Sequence, residues 1–297
     1  MENFRIFADS CSDLSTELRK EYDLDYFRMN IVVKGEQHRA DLDWGEFSYD
    51  QLYDWIKDTS NHCKTTQVPA EEFETKIIEC FEKGMDVLYI ACSAKLTGSM
   101  NVFNLVTNEL KEKYPNRRAV GVDSLCASMG EGMIAIEASK LRSQGKSIDE
   151  VVDWVVKNRN IVNQSCSVES LKYLKQAGRV SASSAFFGDI IGIKPIIISD
   201  AEGHNYAMEK VKGSKKAINR VFELAKERID KNISDVVYLG QGKADEQVNI
   251  LRDRLINELG VKVIDYKIGP IIGVSCGPGV YVIFCFGKEV EIVGPDA

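Results

Sequence analysis

An almost uninterrupted apolar run at residues 86–92, DVLYIAC, restricts the fold of this chain more than any other feature. Such a run is typical of a central parallel strand that is covered on both faces. Apolar residues at helical spacing precede it at 70–83 and follow it up to about residue 114. A strand pattern at 119–124 and a helical pattern at 129–143 continue the alternation. The sequence therefore predicts a parallel α/β sheet with right-handed crossovers and helices on both faces, a three-layer α/β/α arrangement.

The pattern changes in the second half of the chain. Asp200–Gly203 is typical of a hairpin turn between two strands, and helical patterns around 214–230 and 244–259 flank a further strand. This mixture predicts a smaller α+β domain. With 297 residues the chain is long enough for two domains, which we expect at 1–160 and 161–297.

Composition and charge exclude several classes of protein. Hydrophobic residues make up 44% and charged residues 28% of the chain, as in ordinary globular proteins. The net charge of −7 offers no basic surplus for binding a nucleic-acid backbone. No segment approaches the ~20 apolar residues of a membrane span, and the N-terminal residues lack the pattern of a secretory signal. We therefore expect a cytoplasmic protein with neither a nucleic-acid partner nor an integral membrane segment.

The cysteines and histidines do not suggest a metal or redox centre. None of the eight cysteines lies in a C-x-x-C pair, and the three histidines are widely spaced. Several cysteines lie inside apolar runs, where a free thiol behaves as a small buried hydrophobic group. Glycine-rich nucleotide-binding motifs are also missing. The sequence therefore predicts reduced, structural cysteines and no metal or cofactor.

Hydroxyl side chains are concentrated where strands are expected to end. The segment 93–99, SAKLTGS, follows the apolar run, and the segment 64–67, KTTQ, precedes a helix and has a similar composition. Hydroxyls and free N–H groups at the start of a helix form a natural cradle for a carboxylate. The same residues would also serve as ordinary helix caps and turn residues. The candidate carboxylate ligands are Thr65, Thr66, Ser93 and Thr97.

Two further segments could contribute to a site. Arg179 follows Gly178 in a turn near the expected domain junction, where it could bind a carboxylate or phosphate or form an interdomain salt bridge. The segment 269–279, GPIIGVSCGPG, is interpreted as a glycine-dense loop before the last strand. Such a loop indicates either a close approach to a ligand or a strained turn.

Taken in order along the chain, these segments resemble the motifs of the DegV family of bacterial fatty-acid-binding proteins. The resemblance covers essentially the whole chain. The matching segments are Asp9–Leu14, Lys64–Gln67, Ser93–Ser99, Leu171–Ser181, Gly192–Ile196, Lys215–Ala217 and Gly269–Gly279.

The resemblance implies a two-domain carrier that holds one long-chain fatty acid in a tunnel between its domains. It implies that a Thr of the first hydroxyl loop and a Ser of the second hold the carboxyl group. The matching residues here are Thr65 and either Thr97 or Ser93. Well-understood members present the acid to a separate dihydroxyacetone-kinase-like subunit, which makes acyl phosphate for phospholipid synthesis. On this basis the chain is a carrier and not itself a catalyst.

The sequence also departs from the pattern of kinase-coupled members. Ser275 stands where they have His, and Lys212 stands where they have Arg. Thr97 replaces a Ser, which keeps a hydroxyl for carboxyl binding. Because Lys cannot reproduce the bidentate contact of Arg, the implied link to a kinase is weakened. We expect Arg179, Ser275 and Lys212 to support the head group or phosphotransfer.

The tunnel lining should come from apolar residues within or after the special loops, although each could equally be ordinary core. The candidates are Phe186, Phe187, Ile190, Ile191, Ile271 and Ile272. Two other functions stay open. One is an acyl-handling hydrolase or transferase that uses Ser275 or Cys276, and the other is a sensor of a different amphiphile.

Overall fold

The computed structural model describes residues 3–182 and 192–295. The strands in these ranges are β1 Phe4–Asp9, β2 Leu24–Phe27, β3 Asn30–Val33, β4 Glu36–Arg39, β5 Lys64–Thr66, β6 Asp86–Ala91, β7 Ala119–Asp123, β8 Val162–Ser167, β9 Ile193–Ser199, β10 Asn205–Lys212, β11 Val236–Gly242, β12 Lys262–Lys267 and β13 Val280–Phe286. The α-helices are α1 Thr16–Glu21, α2 Tyr49–Lys57, α3 Ala70–Glu82, α4 Ser99–Lys113, α5 Met129–Ser143, α6 Ile148–Asn158, α7 Lys172–Ala177, α8 Ser214–Arg228, α9 Asp245–Arg254 and α10 Pro270–Cys276.

The N-terminal half contains the predicted parallel sheet, with strand order β2-β1-β6-β7. Helices α3 and α4 cover one face of this sheet, where Phe73 and Phe103 pack around Tyr89. Helices α5 and α6 cover the other face, against Leu88 and Ile90. Consecutive residues of β6 are therefore buried on opposite sides, which explains its apolar run. The predicted three-layer arrangement is confirmed.

A small antiparallel sheet, order β4-β3-β5, lies beside the parallel one. It contains the first hydroxyl segment, with Thr65 paired to Ile31 and Thr66 paired to Asn30. This segment is therefore an edge strand and not the end of a parallel strand. Ser99 connects it to the second segment, because its hydroxyl accepts the Val68 N–H at 3.1 Å.

The C-terminal half contains a six-stranded mixed sheet, order β10-β9-β8-β13-β11-β12, which we call the large sheet. The predicted hairpin is β9–β10, with the turn at 200–204. Strands β8 and β12 have no counterpart in the sequence-based prediction. All strands of the parallel sheet lie before residue 124 and all strands of the large sheet after residue 161. The domain bounds near 160 nevertheless remain a prediction.

The glycine-dense segment is the short helix α10, and its interpretation as a loop was wrong. Pro270 occupies the first turn, where its fixed φ and missing N–H are tolerated. Ile271 and Val274 lie three residues apart and bury one face of the helix. Gly277, with φ +77°, ends the helix in a conformation that favours glycine. Helix α10 packs against α2, α7 and β5. Because it also lies between β12 and β13 in the chain, it connects the small sheet to the large one.

Candidate functional site

A cavity of about 920 Å³, including its opening to solvent, lies where the three sheets meet. Cys11, Cys92 and Ala127 form its floor at the ends of the parallel strands. The remaining apolar walls come from the large sheet and from α10. Residues on these walls include Cys166, Ile197, Val282, Phe284, Ile271 and Ile272.

Thr65, Thr66 and Thr97 line this cavity, and we call the part of the lining that they contribute the hydroxyl corner. The hydroxyl of Thr97 lies 2.9 Å from that of Ser99, whose oxygen also accepts the Val68 N–H. This chain of hydrogen bonds fixes the second hydroxyl loop to the first. All three threonine side chains are half-buried, so they can contact both a ligand and water.

Helix α4 begins at the hydroxyl corner. Its N-cap residue Gly98 lines the cavity and supplies no capping side chain. Among the described residues, the N–H groups of Gly98 and Met100 have no hydrogen-bond acceptor. Free N–H groups at a helix N-terminus favour an anion. The corner therefore offers threonine hydroxyls and the Gly98 N–H to a carboxylate.

Ser93 lies outside the cavity lining. Its side chain is fully buried, and its hydroxyl donates to the Gly203 carbonyl at 2.8 Å and accepts the Lys95 N–H at 3.2 Å. The hydroxyl thus joins the second loop to the hairpin turn of the large sheet.

Arg179 is the one charged side chain among the described residues that line the cavity. Its Nε donates to the Leu96 carbonyl at 2.6 Å and its Nη1 to the Ala177 carbonyl at 2.5 Å. Within residues 3–182 and 192–295 it makes no salt bridge. Arg179 and Thr65 also line a second, more polar cavity, which His62 and Lys64 border.

The other predicted site residues fall in different places. Ser275 lines the cavity, but its hydroxyl donates to the Ile271 carbonyl of the same helix at 3.0 Å. Lys212 is exposed at the end of β10 and is not part of the lining. The predicted tunnel residues Phe186, Phe187, Ile190 and Ile191 lie outside the described residues.

Sequence reasoning missed the polar residues that line the large-sheet side, Gln164 and Asn205. Gln164 lies in β8, whose polar sequence NQSCS carries no strand signal. Asn205 directly follows the hairpin turn. This position at the start of β10 is the only sequence feature that could have marked it as a cavity-lining residue. Four of the eight cysteines, all free thiols, also line the cavity: Cys11, Cys92, Cys166 and Cys276.

A buried carboxylate joins the cavity floor to α10. Asp13 accepts the Ser128 hydroxyl at 2.5 Å and the Gly269 N–H at 2.9 Å. Burial raises the pKa of Asp13 to about 7, against the opposing effect of these two hydrogen bonds. Ser128 has φ +54° and ψ −148°, a backbone conformation that costs on the order of 1–3 kcal/mol for a residue other than glycine.

Comparison with known proteins identifies the family. The model of the DegV family, which is described as uncharacterised, matches residues 3–288. The chain belongs to the DegV family. A DegV domain-containing protein of Clostridium perfringens is 31% identical over 295 residues, covering 98% of this chain and 100% of that protein.

Solved DegV structures share the fold of this chain. A structure of a fatty-acid-binding DegV family protein from Thermus thermophilus has a TM-score of 0.83 at 24% identity, covering 96% of this chain and 100% of that one. A stearic-acid-binding protein from Eubacterium ventriosum has a TM-score of 0.85 at 22% identity, covering 95% of this chain and 98% of that one. At these identities the similarity shows the fold.

Two further observations concern the described part of the chain. No helix there is long and apolar enough to cross a membrane. No group of three or more His, Cys, Asp or Glu residues within those ranges is arranged to hold a metal ion.

Proposed function

We propose that this DegV family protein is a carrier that binds one long-chain fatty acid in the main cavity. The carboxylate lies at the hydroxyl corner, with Thr65 and Thr97 as ligands and Thr66 and Arg179 nearby. The acyl chain lies along the apolar lining. The observation that carries this proposal is a largely apolar cavity with hydroxyl and N–H donors at one corner and no carboxylate among its described lining residues.

The energetics agree with this arrangement. A 16-carbon chain gains ~0.8 kcal/mol per buried CH₂, or roughly 12 kcal/mol before losses. Association and chain ordering remove several kcal/mol of this. The head-group contacts contribute about 1–3 kcal/mol together, because charge-assisted hydrogen bonds are strong but replace bonds to water. Affinity therefore comes from the chain, and orientation comes from the hydroxyl corner.

The structure favours a carrier over an acyl-handling enzyme that uses Ser275 or Cys276. The Ser275 hydroxyl donates to its own helix, and none of the three histidines lines the main cavity to serve as its base. Burial raises the pKa of the Cys276 thiol to about 12, so the nucleophilic thiolate is rare at neutral pH.

We also propose that the bound acid is presented to a separate dihydroxyacetone-kinase-like subunit. Thr65 and Arg179 border both cavities, so a partner that reaches the second cavity would approach the carboxylate end. Ser275 and Lys212 stand in place of the expected His and Arg. Incubating the loaded protein with such a kinase subunit and ATP tests this step: acyl phosphate supports it. Failure with several such subunits would reject kinase coupling while leaving fatty-acid binding intact.

Mass spectrometry of the purified protein tests the carrier proposal. Native spectra should show one added long-chain acid, and denaturing spectra should show the unmodified chain. A covalent acyl adduct would favour the enzyme instead. A different bound amphiphile, together with no displacement by palmitic or stearic acid, would favour the sensor.

A further inference from the structure

A row of polar side chains on the large-sheet wall is not used by carboxylate binding at the hydroxyl corner. We call Gln164, Ser199 and Asn205 the amide row. They lie side by side on β8, β9 and β10. The Ser199 hydroxyl donates to Gln164 Oε1 at 3.1 Å, and Gln164 Nε2 lies 3.4 Å from Asn205 Oδ1. Asn205 Nδ2 donates to the Arg179 carbonyl at 3.2 Å. Gln164 and Asn205 line the cavity.

The amide row has donor capacity left over. Each primary amide carries two N–H groups, and each of these amides uses one within the described residues. The bond from Gln164 is also longer than the usual 2.7–3.2 Å. Gln164 is only 8% exposed, so water does not readily satisfy the remaining N–H. A saturated acyl chain across the row would bury these donors without an acceptor, which is unfavourable.

The amide row is not needed to hold the sheet together. Backbone pairing already joins β8 to β9 and β9 to β10. The neighbouring lining positions, Cys166, Ile197 and Val282, are apolar and would suit a plain hydrocarbon chain. A pair of amides at this place is therefore best explained by an acceptor on the ligand.

We infer that the amide row is a subsite for an oxygen atom on the acyl chain, and that the protein prefers oxygenated fatty acids, with a hydroxyl or keto group, over unsubstituted ones. This inference rests on the proposed function. The chain oxygen accepts the spare N–H groups of Gln164 and Asn205, while the carboxylate stays at the hydroxyl corner.

The experiment compares stearic acid with 10-hydroxystearic, 12-hydroxystearic and 10-oxostearic acids. Delipidated full-length protein is titrated by calorimetry or by displacement of a fluorescent fatty acid. At least one oxygenated acid should bind five-fold or more tightly than stearic acid. Gln164→Met, which preserves side-chain length, should abolish this preference. Asn205→Leu serves as a second variant in case the first does not fold, and thermal melts check both.

Thr65→Val is the matched control, because it should weaken stearic and oxygenated acids by the same factor and leave their ratio unchanged. Equal affinity of the wild type for all the acids, or a preference that survives in both folded amide variants, would overturn the subsite and leave the carrier proposal standing. Binding of none of the acids would overturn the carrier proposal, and the subsite with it.

Discussion

The two sides of the cavity are built differently. On one side, loops and an edge strand present the hydroxyl corner, where backbone N–H groups and threonine hydroxyls act together. On the other side, the large sheet presents alternate side chains of regular strands, such as Cys166 and Val282. A loop can turn both its backbone and its side chains toward a ligand, whereas the backbone of a central strand is used by its neighbours. The loop side is therefore suited to orient a head group, and the sheet side to set the shape of the chain site.

The largest loss of fatty-acid affinity should come from a larger side chain on the large-sheet wall of the cavity. Val282→Trp places an indole in the lining of the cavity and should weaken binding of palmitic acid at least a thousandfold, because the chain loses its space. Val282→Ile, which adds one methylene, should weaken it less than tenfold. Isothermal calorimetry measures both, with circular dichroism to confirm folding. Unchanged affinity in folded Val282→Trp would place the acyl chain elsewhere.

The next largest effect is on stability and concerns Asp13, whose carboxyl group joins the cavity floor on the loop side to α10. Its pKa is raised to about 7 by burial, so the folded protein keeps a proton that the unfolded chain loses near pH 4. The contribution of Asp13 to the free energy of unfolding should therefore fall as the pH rises from about 4 to about 7. Above pH 7 this contribution should stay constant. The difference is on the order of 4 kcal/mol.

Asp13→Asn should remove this part of the pH dependence. Urea unfolding at several pH values measures it as the difference between wild type and variant. This difference cancels the contribution of Asp9, another buried carboxyl with a raised pKa. It also contains a small change at Glu131, because the charge of Asp13 is one of the causes that raise the pKa of Glu131. A difference that does not change between pH 4 and pH 7 would contradict the raised pKa of Asp13.

Removing the two hydroxyls should have a smaller effect on binding. Thr65→Val combined with Thr97→Val should weaken fatty-acid binding roughly tenfold to a hundredfold, because the carboxylate loses its donors while the chain site is kept. Thr16→Val is the matched control, since Thr16 also loses a side-chain hydrogen bond, to Asp43, but lies outside the cavity. If the double variant binds like the control, the head-group assignment is wrong.

The smallest expected effect comes from a substitution that tests whether Ser93 or Thr97 is the carboxylate ligand. Ser93→Ala should lower the free energy of unfolding by about 1 kcal/mol, because the Gly203 carbonyl loses its donor. Its fatty-acid affinity should stay within twofold of wild type. A tenfold loss of affinity with unchanged stability would instead make Ser93 the carboxylate ligand.

The difference between the loop side and the sheet side of the cavity also explains which elements could be predicted from the sequence. The strand at 86–91 is recognisable because both of its faces are buried. Thr65, Thr66 and Thr97 are recognisable as cavity-lining candidates because hydroxyl side chains are concentrated in two short segments, although neither segment caps a helix with a side chain. Strand β8 was missed because its buried residues are polar and find their partners only across the sheet. Helix α10 was misinterpreted because Gly and Pro usually indicate a loop, whereas here tertiary packing stabilises a short helix.

The contact between Ser93 and the hairpin turn at Gly203 has a consequence for how the protein is loaded. A salt bridge between Lys95 and Glu202 lies beside it, so the loop that carries Thr97 is fastened to the opposite sheet at two points. If a lipid enters by separation of this loop from the large sheet, both contacts break. Amide hydrogen exchange at residues 94–97 should therefore be faster in the empty protein than in the lipid-bound protein. The exchange rate of this loop would then report whether the cavity is occupied.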